Sequence, residues 1–258
     1  MITEQQVNQL SKKFQISDSV VVREFVQLLF LKELYEQNVS KNIFFKGGTA
    51  IRLIWGGHRF SEDLDFTVNM PEEEFGEKIL SFFQYLENIY TFRIKERKSI
   101  VGYTYLLTAE VPFLKSKVYI KLDFSTREQV LEPNQSILKT EYPVIFQSFV
   151  NTLSIDEIFA EKIRAVITRV KHRDLYDLWI LLELGAKFND DLVTKKLRYY
   201  DIKKIDSNIL EERVKLFSKK NFVKDLAPFV PRQERENLAS FFDYILKYLD
   251  NSFKNIGS

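Results

Sequence analysis

Two carboxylates one residue apart, Asp63 and Asp65, and a glycine pair, Gly47-Gly48, have types and spacing that can do chemistry. The aspartates lie in an alternating segment, Ser61-Glu62-Asp63-Leu64-Asp65-Phe66. Successive side chains of a strand point to opposite faces, so Ser61, Asp63 and Asp65 share one face and Glu62, Leu64 and Phe66 the other. Carboxylates about 7 Å apart on one strand face repel each other unless a cation lies between them. Mg²⁺, a hard ion held through one or two carboxylates plus phosphates, suits that place. The glycines follow a short apolar run, Ile43-Phe44-Phe45, and lead through Thr49 into a helical pattern from Ala50 to about Trp55. A strand that turns through Gly-Gly into a helix lets backbone N–H groups approach a phosphate at the helix's positive end. Either pattern alone is common, a plain turn or a solvated edge face. Together they offer an anion site and a cation site separated by a short helix, which suits metal-assisted phosphoryl or nucleotidyl transfer.

The rest of the chain must position these groups. At 258 residues it can bury a sizeable core as one large domain or two small ones. Helical spacing predicts helices over 18–38 and 71–90, and β-prone alternation predicts strands over about 91–98, 101–111 and 117–125. The segment 126–153, with Pro133 and Pro143, reads as the end of the sheet and a connector. Beyond it the pattern is helical, over about 154–170, 172–186, 189–199, 206–218 and 232–250. The expectation is an α/β domain over 1–150 and a helical domain over 151–258 that closes the active-site cleft.

Composition narrows the chemistry. The absence of cysteine excludes disulfides and thiolate zinc sites, and two histidines, His58 and His172, argue against an imidazole-rich centre, so a metal here is expected on oxygen. A net charge of +2 does not itself argue for nucleic acid. Contacts to RNA would come from local patches: Arg93, Lys95 and Arg97 on one strand face, and Lys195, Lys196, Arg198, Tyr199, Tyr200, Lys203 and Lys204 together. Such clusters are more often simply solvated. No apolar run approaches the roughly 18 residues of a membrane span, and the N-terminus lacks a signal-peptide pattern, so no membrane contact and a cytoplasmic location are expected.

A second constellation lies in the helical half. Ser154 and Glu157 have capping-box spacing and fix where a helix starts. Ile155, Ile158, Phe159, Ile163, Val166, Ile167 and Val170 then form one apolar arc. Lys162 falls inside that arc, while Glu161, Arg164 and Thr168 take the wet side. On the next helix Asp174 projects between Leu178 and Leu181, again inward, where a carboxylate needs a partner such as Lys162, Arg169 or Arg173. On spacing alone, a snorkelling lysine and a structural ion pair explain these residues as well as an anion site does.

The pattern GG[ST] followed by an hDhD strand resembles the DNA polymerase β-like nucleotidyltransferase superfamily. The fuller run Lys46-Gly47-Gly48-Thr49-Ala50 with Arg59-Phe60-Ser61-Glu62-Asp63-Leu64-Asp65-Phe66 is similar to the AbiEii/AbiGii family of nucleotidyltransferase toxins, which includes MenT-like toxins. Ala160-Glu161-Lys162-Ile163-Arg164-Ala165 and Lys171-His172-Arg173-Asp174-Leu175-Tyr176-Asp177-Leu178 resemble its C-terminal signature.

The resemblance implies an α+β fold, a polymerase β-like mixed sheet with flanking helices followed by a helical half. It implies a toxin of a bacterial toxin–antitoxin or abortive-infection system that transfers NMP from an NTP to RNA, with tRNA 3′ ends the leading acceptor. A cognate antitoxin would be encoded nearby. Asp63, Asp65, Lys162 and Asp174 are then expected to be catalytic, with Asp177 a further participant. Asp123, on the polar face of the third strand, would join Asp63 and Asp65 around Mg²⁺ or Mn²⁺ in a two-metal arrangement. Backbone N–H groups of Gly47, Gly48 and Thr49 would cradle the phosphates, assisted by Arg59 and Ser61. A phosphate added to Ser61 would repel the metal-site carboxylates. The alternatives are the same chemistry on a small molecule or protein hydroxyl, or a non-catalytic member that binds nucleotide or a partner.

Overall fold

Local signals place the first two helices. The Thr3 hydroxyl accepts from Gln6 N–H at 3.2 Å and Gln6 Oε1 accepts from Thr3 N–H at 2.9 Å, a capping box that starts α1 (Glu4–Phe14). Helix α2 (Asp18–Tyr35) is apolar almost all round and is buried over most of its circumference, as a core helix must be. The computed structural model describes residues 2–99, 101–202 and 207–253.

The chain then builds β1 (Ile43–Lys46), α3 (Gly47–Trp55), β2 (Leu64–Val68), α4 (Glu72–Ile89), β3 (Phe92–Arg97), β4 (Tyr103–Ala109), β5 (Val118–Ser125), β6 (Pro133–Ser136) and β7 (Val150–Leu153). These strands form a seven-stranded mixed sheet in the order β3-β4-β5-β2-β1-β7-β6. β2 runs antiparallel to β1 and parallel to β5, and β1 runs parallel to β7. β3, β4 and β5 follow each other as an antiparallel meander. Of the β-prone pieces around Ile137 and over Val144–Val150, Ile137 follows directly on β6 and only Val150 of the second lies in a strand, as the first residue of β7.

One sheet face carries the core of this unit. In-register neighbours Phe45, Phe66 and Phe124 lie side by side across β1, β2 and β5, with ring centroids 5.5 Å and 4.8 Å apart. Phe30 of α2 and Phe75 of α4 close over them, at 6.3 Å from Phe66 and 5.1 Å from Phe124. Buried polar groups lock β1 to β7: the Thr152 hydroxyl donates to Phe45 O at 2.7 Å, and the Tyr35 hydroxyl donates to Asn151 O at 2.9 Å.

Contacts divide the chain into two units, Met1–Leu153 and Ser154–Ser258. The second contains α5 (Ile155–Thr168), α6 (His172–Glu183), α7 (Asp190–Arg198), α8 (Ser207–Val214), α9 (Lys219–Leu226) and α10 (Leu238–Phe253). Ser154 caps α5, its hydroxyl accepting from Glu157 N–H at 3.0 Å. α5 packs on α6, α7 and α8, and α9 packs on α6 and α10. Helix α9 falls where the sequence pattern gave no helix, and the helix expected from 232 begins at Leu238 after a short 3₁₀ segment. No helix among the described residues is long and apolar enough to cross a membrane.

Phe66 has no exposed surface and touches rings from three elements. Phe66→Ala is expected to cost about 3–5 kcal/mol of unfolding free energy by the cavity it leaves. Denaturant titration of the two proteins checks this; a loss under about 1 kcal/mol would mean the ring row is not the core.

Candidate active site

The opposite face of the sheet carries the charges. Lys46 on β1 pairs in register with Asp65 on β2, Asp65 with Asp123 on β5, Asp123 with Thr104 on β4, and Thr104 with Arg97 on β3. Register partners share a face, so these five side chains form one row across the sheet. Asp65 and Asp123 are therefore immediate neighbours. Lys121, two residues before Asp123, lies on the same face and forms an ion pair with it. The Asp123 carboxylate also accepts from the Thr104 hydroxyl at 2.6 Å. Partial burial works against the charge of Lys121. The Asp123 bond and the charges of Asp123, Asp63 and Asp65 outweigh it and hold the amino group above the usual lysine value.

Asp63 lies just before β2, in a segment whose backbone is fixed by side chains from two helices. Gln27 of α2 donates to Ser61 O at 3.2 Å and Glu62 O at 3.0 Å. The buried Thr49 hydroxyl, in the first turn of α3, donates to Asp63 O. Thr49 thus positions the carboxylate loop through its side chain, a role its place in the glycine motif did not reveal.

Helix α3 starts at Gly47 itself, with no intervening turn, so the backbone N–H groups of Gly47, Gly48 and Thr49 have no carbonyl partner within the helix. Gly47 has φ +78°, in the left-handed region that favours glycine, and a Cβ there would strike the Asp65 carboxylate. A Cβ on Gly48 would strike the Arg59 guanidinium and approach Ser61 Oγ at 3.2 Å. The helix start, Asp65, Arg59 and Ser61 therefore crowd one place. Arg59 is buried, and one of its N–H groups donates to Phe60 O at 3.1 Å.

Among the described residues, no three carboxylate, imidazole or thiolate side chains converge into a formed metal centre. Asp65 and Asp123 nevertheless stand in register and bring carboxylate oxygens together, the chemistry a hard divalent ion takes, and a lysine already pairs with one of them.

The helical unit holds a second charged cluster. Lys162 Nζ lies 2.7 Å from Asp174 Oδ1 and 2.7 Å from Asp177 Oδ2. Arg169 Nε donates to Asp174 Oδ2 at 2.8 Å. Lys162, Asp174 and Asp177 are all buried. Burial pushes Asp174 toward its neutral form, but the charges and hydrogen bonds of Lys162 and Arg169 hold its carboxyl well below the usual range. Asp177, one turn after Asp174, is an equal partner of the lysine, and Arg173 lies over the Phe229 ring. Beside this cluster, His172 accepts from Ser218 N–H at Nε2, 3.2 Å, which leaves the proton on Nδ1, 3.1 Å from Asp225.

The basic patches fare differently. Arg93, Lys95 and Arg97 are exposed and share the face of the carboxylate row. Lys196 is fully buried, 2.7 Å from Glu157 and 3.1 Å from Glu161, so it is no surface contact. Glu161 accordingly lies in the interior and not on the wet side. Lys195 pairs with Asp191 at 2.6 Å, Arg164 stacks on the Tyr200 ring at 4.3 Å, and Lys203 and Lys204 lie outside the described residues.

Residues 29–255 match the family described as Nucleotidyl transferase AbiEii toxin, Type IV TA system. An uncharacterized protein of Aquifex aeolicus (strain VF5), aq_aa25, is 27% identical over 233 residues, which cover 86% of this chain and 95% of the relative. The fold is similar to MenT4, a nucleotidyltransferase toxin of Mycobacterium tuberculosis H37Rv, with a TM-score of 0.65 at 20% identity over 98% of this chain and 92% of that one. It is also similar to a putative nucleotidyltransferase from Helicobacter pylori, with a TM-score of 0.58 at 20% identity over 94% and 100% of the two chains.

Two outcomes follow from the buried cluster. Lys162→Met leaves two buried aspartates without that cation and is expected to cost about 3–5 kcal/mol at neutral pH, measured by denaturant unfolding. Because the Asp174 pKa is lower folded than unfolded, its stabilisation is full above the unfolded value of about 3.9 and is lost as pH falls below it. Removing Lys162 raises the folded value, so acid unfolding of the variant should begin at a higher pH than in the wild type. Coincident acid transitions would contradict the pairing.

Proposed function

The chain belongs to the AbiEii nucleotidyltransferase toxin family, and on that premise we propose that it transfers NMP from an NTP to a hydroxyl of RNA in the cytoplasm, restrained by an adjacently encoded antitoxin. The observation that carries the reading is the in-register neighbourhood of Asp65 and Asp123 beside the first turn of α3. Carboxylates for a cation and N–H donors for a phosphate meet at one end of β2.

In this reaction the acceptor oxygen forms a bond to the α-phosphorus of the NTP while the bond from that phosphorus to the β-phosphate oxygen breaks. Pyrophosphate leaves, and the acceptor's proton passes to a base. The first-turn N–H groups of Gly47, Gly48 and Thr49 hold the β- and γ-phosphates against the positive end of α3. Arg59, fixed against Gly48, and Ser61 add donors at the same place. Asp63, Asp65 and Asp123 are the residues that would hold Mg²⁺ or Mn²⁺, which when bound supplies charge neutralisation for the triphosphate and a more acidic acceptor hydroxyl.

The proposal extends to the helical unit, 154–258. Lys162 and Asp174 are the residues of this unit we take as catalytic, with Asp174 orienting Lys162. The burial of the whole Lys162, Asp174 and Asp177 set supports a role beyond surface charge, because solvated pairs gain little from such placement. For the acceptor, Arg93, Lys95 and Arg97 on the carboxylate side of the sheet favour a polyanion over a neutral small molecule. A tRNA 3′ end is the acceptor we favour.

Purified protein incubated with labelled NTPs, Mg²⁺, total RNA and total protein is expected to place label in RNA of tRNA size. Asp63→Ala leaves the backbone carbonyl that Thr49 holds and should lower transfer by about a hundredfold or more. Full transfer by that variant, or label confined to protein, would overturn the reading.

A further inference from the structure

We propose that Lys121 is a resident cation of the carboxylate site, which occupies Asp123 until a divalent ion displaces it. The inference rests on the reading that Asp63, Asp65 and Asp123 hold that ion. Both oxygens of the Asp123 carboxylate are already engaged. Oδ1 accepts from the Thr104 hydroxyl at 2.6 Å, and Oδ2 is held by the Lys121 amino group. Thr104 can stay, because a carboxylate oxygen has a second lone pair beyond one hydrogen bond. An ammonium group and a metal ion cannot share Oδ2 in the same way, since both are cations and would repel at contact distance.

The fold makes the exchange local. Lys121 and Asp123 are alternate residues of β5, so their side chains leave the same sheet face. Asp65 is the cross-strand neighbour of Asp123, so the Lys121 amino group is held on a carboxylate that stands directly beside a second one. The lysine side chain keeps 48% of its surface exposed, so its long stem can swing the amino group to water without disturbing the core. Lys121 offsets part of the negative charge that the register of Asp65 and Asp123 brings together.

The test is Mn²⁺ binding to the full-length, metal-free protein without nucleotide, followed by calorimetry or by the electron paramagnetic resonance of free Mn²⁺. Lys121→Met and Lys121→Gln remove the competitor, the second keeping a polar side chain should the first fold poorly. Each should bind Mn²⁺ about fivefold tighter than the wild type, the worth of a partly exposed ion pair. Lys117→Met, which removes the lysine just before β5 that pairs with Glu110, should bind as the wild type does. Wild-type or weaker affinity in the Lys121 variants overturns the inference and leaves the metal reading intact. Equal tightening by Lys117→Met also overturns it, because the effect would then be one of general charge. No Mn²⁺ binding by any of the proteins overturns the inference and the metal reading together.

Discussion

Strand β2 is held between β1, which runs against it, and β5, which runs with it, and the register of those two pairings decides where every charge falls. Because side chains alternate along a strand, a slip of one residue on either side would exchange the faces. Asp65 would then face the phenylalanine layer, and Phe66 would face the helix start. The packing of Phe45, Phe66 and Phe124 with Phe30 and Phe75 is thus more than a core. By fixing the apolar face it holds Lys46, Asp65 and Asp123 side by side on the other. The α3 start is tied to the same register, since Gly47 follows Lys46 directly and lies against Asp65.

The helical unit meets a different constraint, that of charge in the interior. It buries Lys162 with Asp174 and Asp177, and Lys196 with Glu157 and Glu161. Two carboxylates and one lysine in each set leave a formal negative excess that further donors must balance, as Arg169 does for Asp174. The two sets share α5, where Glu161 and Lys162 are adjacent residues turned to different partners. The rotation of α5 is thereby fixed by ion pairs on two sides, and not by its apolar arc alone.

Much of this was legible in the sequence where the signal was local. Period-two alternation from Ser61 to Phe66 gave the shared face of the aspartates, and the spacing of Ser154 and Glu157 gave the start of α5 and hence the inward turn of Lys162. Asp174 was readable as buried because its helix is apolar on nearly all sides. What escaped depends on partners distant in the chain. Nothing near Lys196 marks it as buried, since its charge is met by Glu157 and Glu161 more than thirty residues earlier. Gln27 looks like a minor polar residue of a core helix until its bonds to Ser61 O and Glu62 O are seen. Helix α9 is short and only two of its residues are buried, too few to raise a periodic signal. The neighbourhood of Asp65 and Asp123 is a property of strand pairing, which the alternation of either strand alone does not contain.

The two ends of the sheet carry a further consequence. An outermost strand exposes a row of unsatisfied N–H and C=O groups, an invitation for a second chain to add itself to the ladder. At one end β3 answers with Arg93, Lys95, Glu96 and Arg97, all exposed. At the other, β6 is four residues long and opens with Pro133, which has no N–H to offer. Charges along β3 and the short, proline-led β6 thus both disfavour the pairing of a second copy onto the sheet.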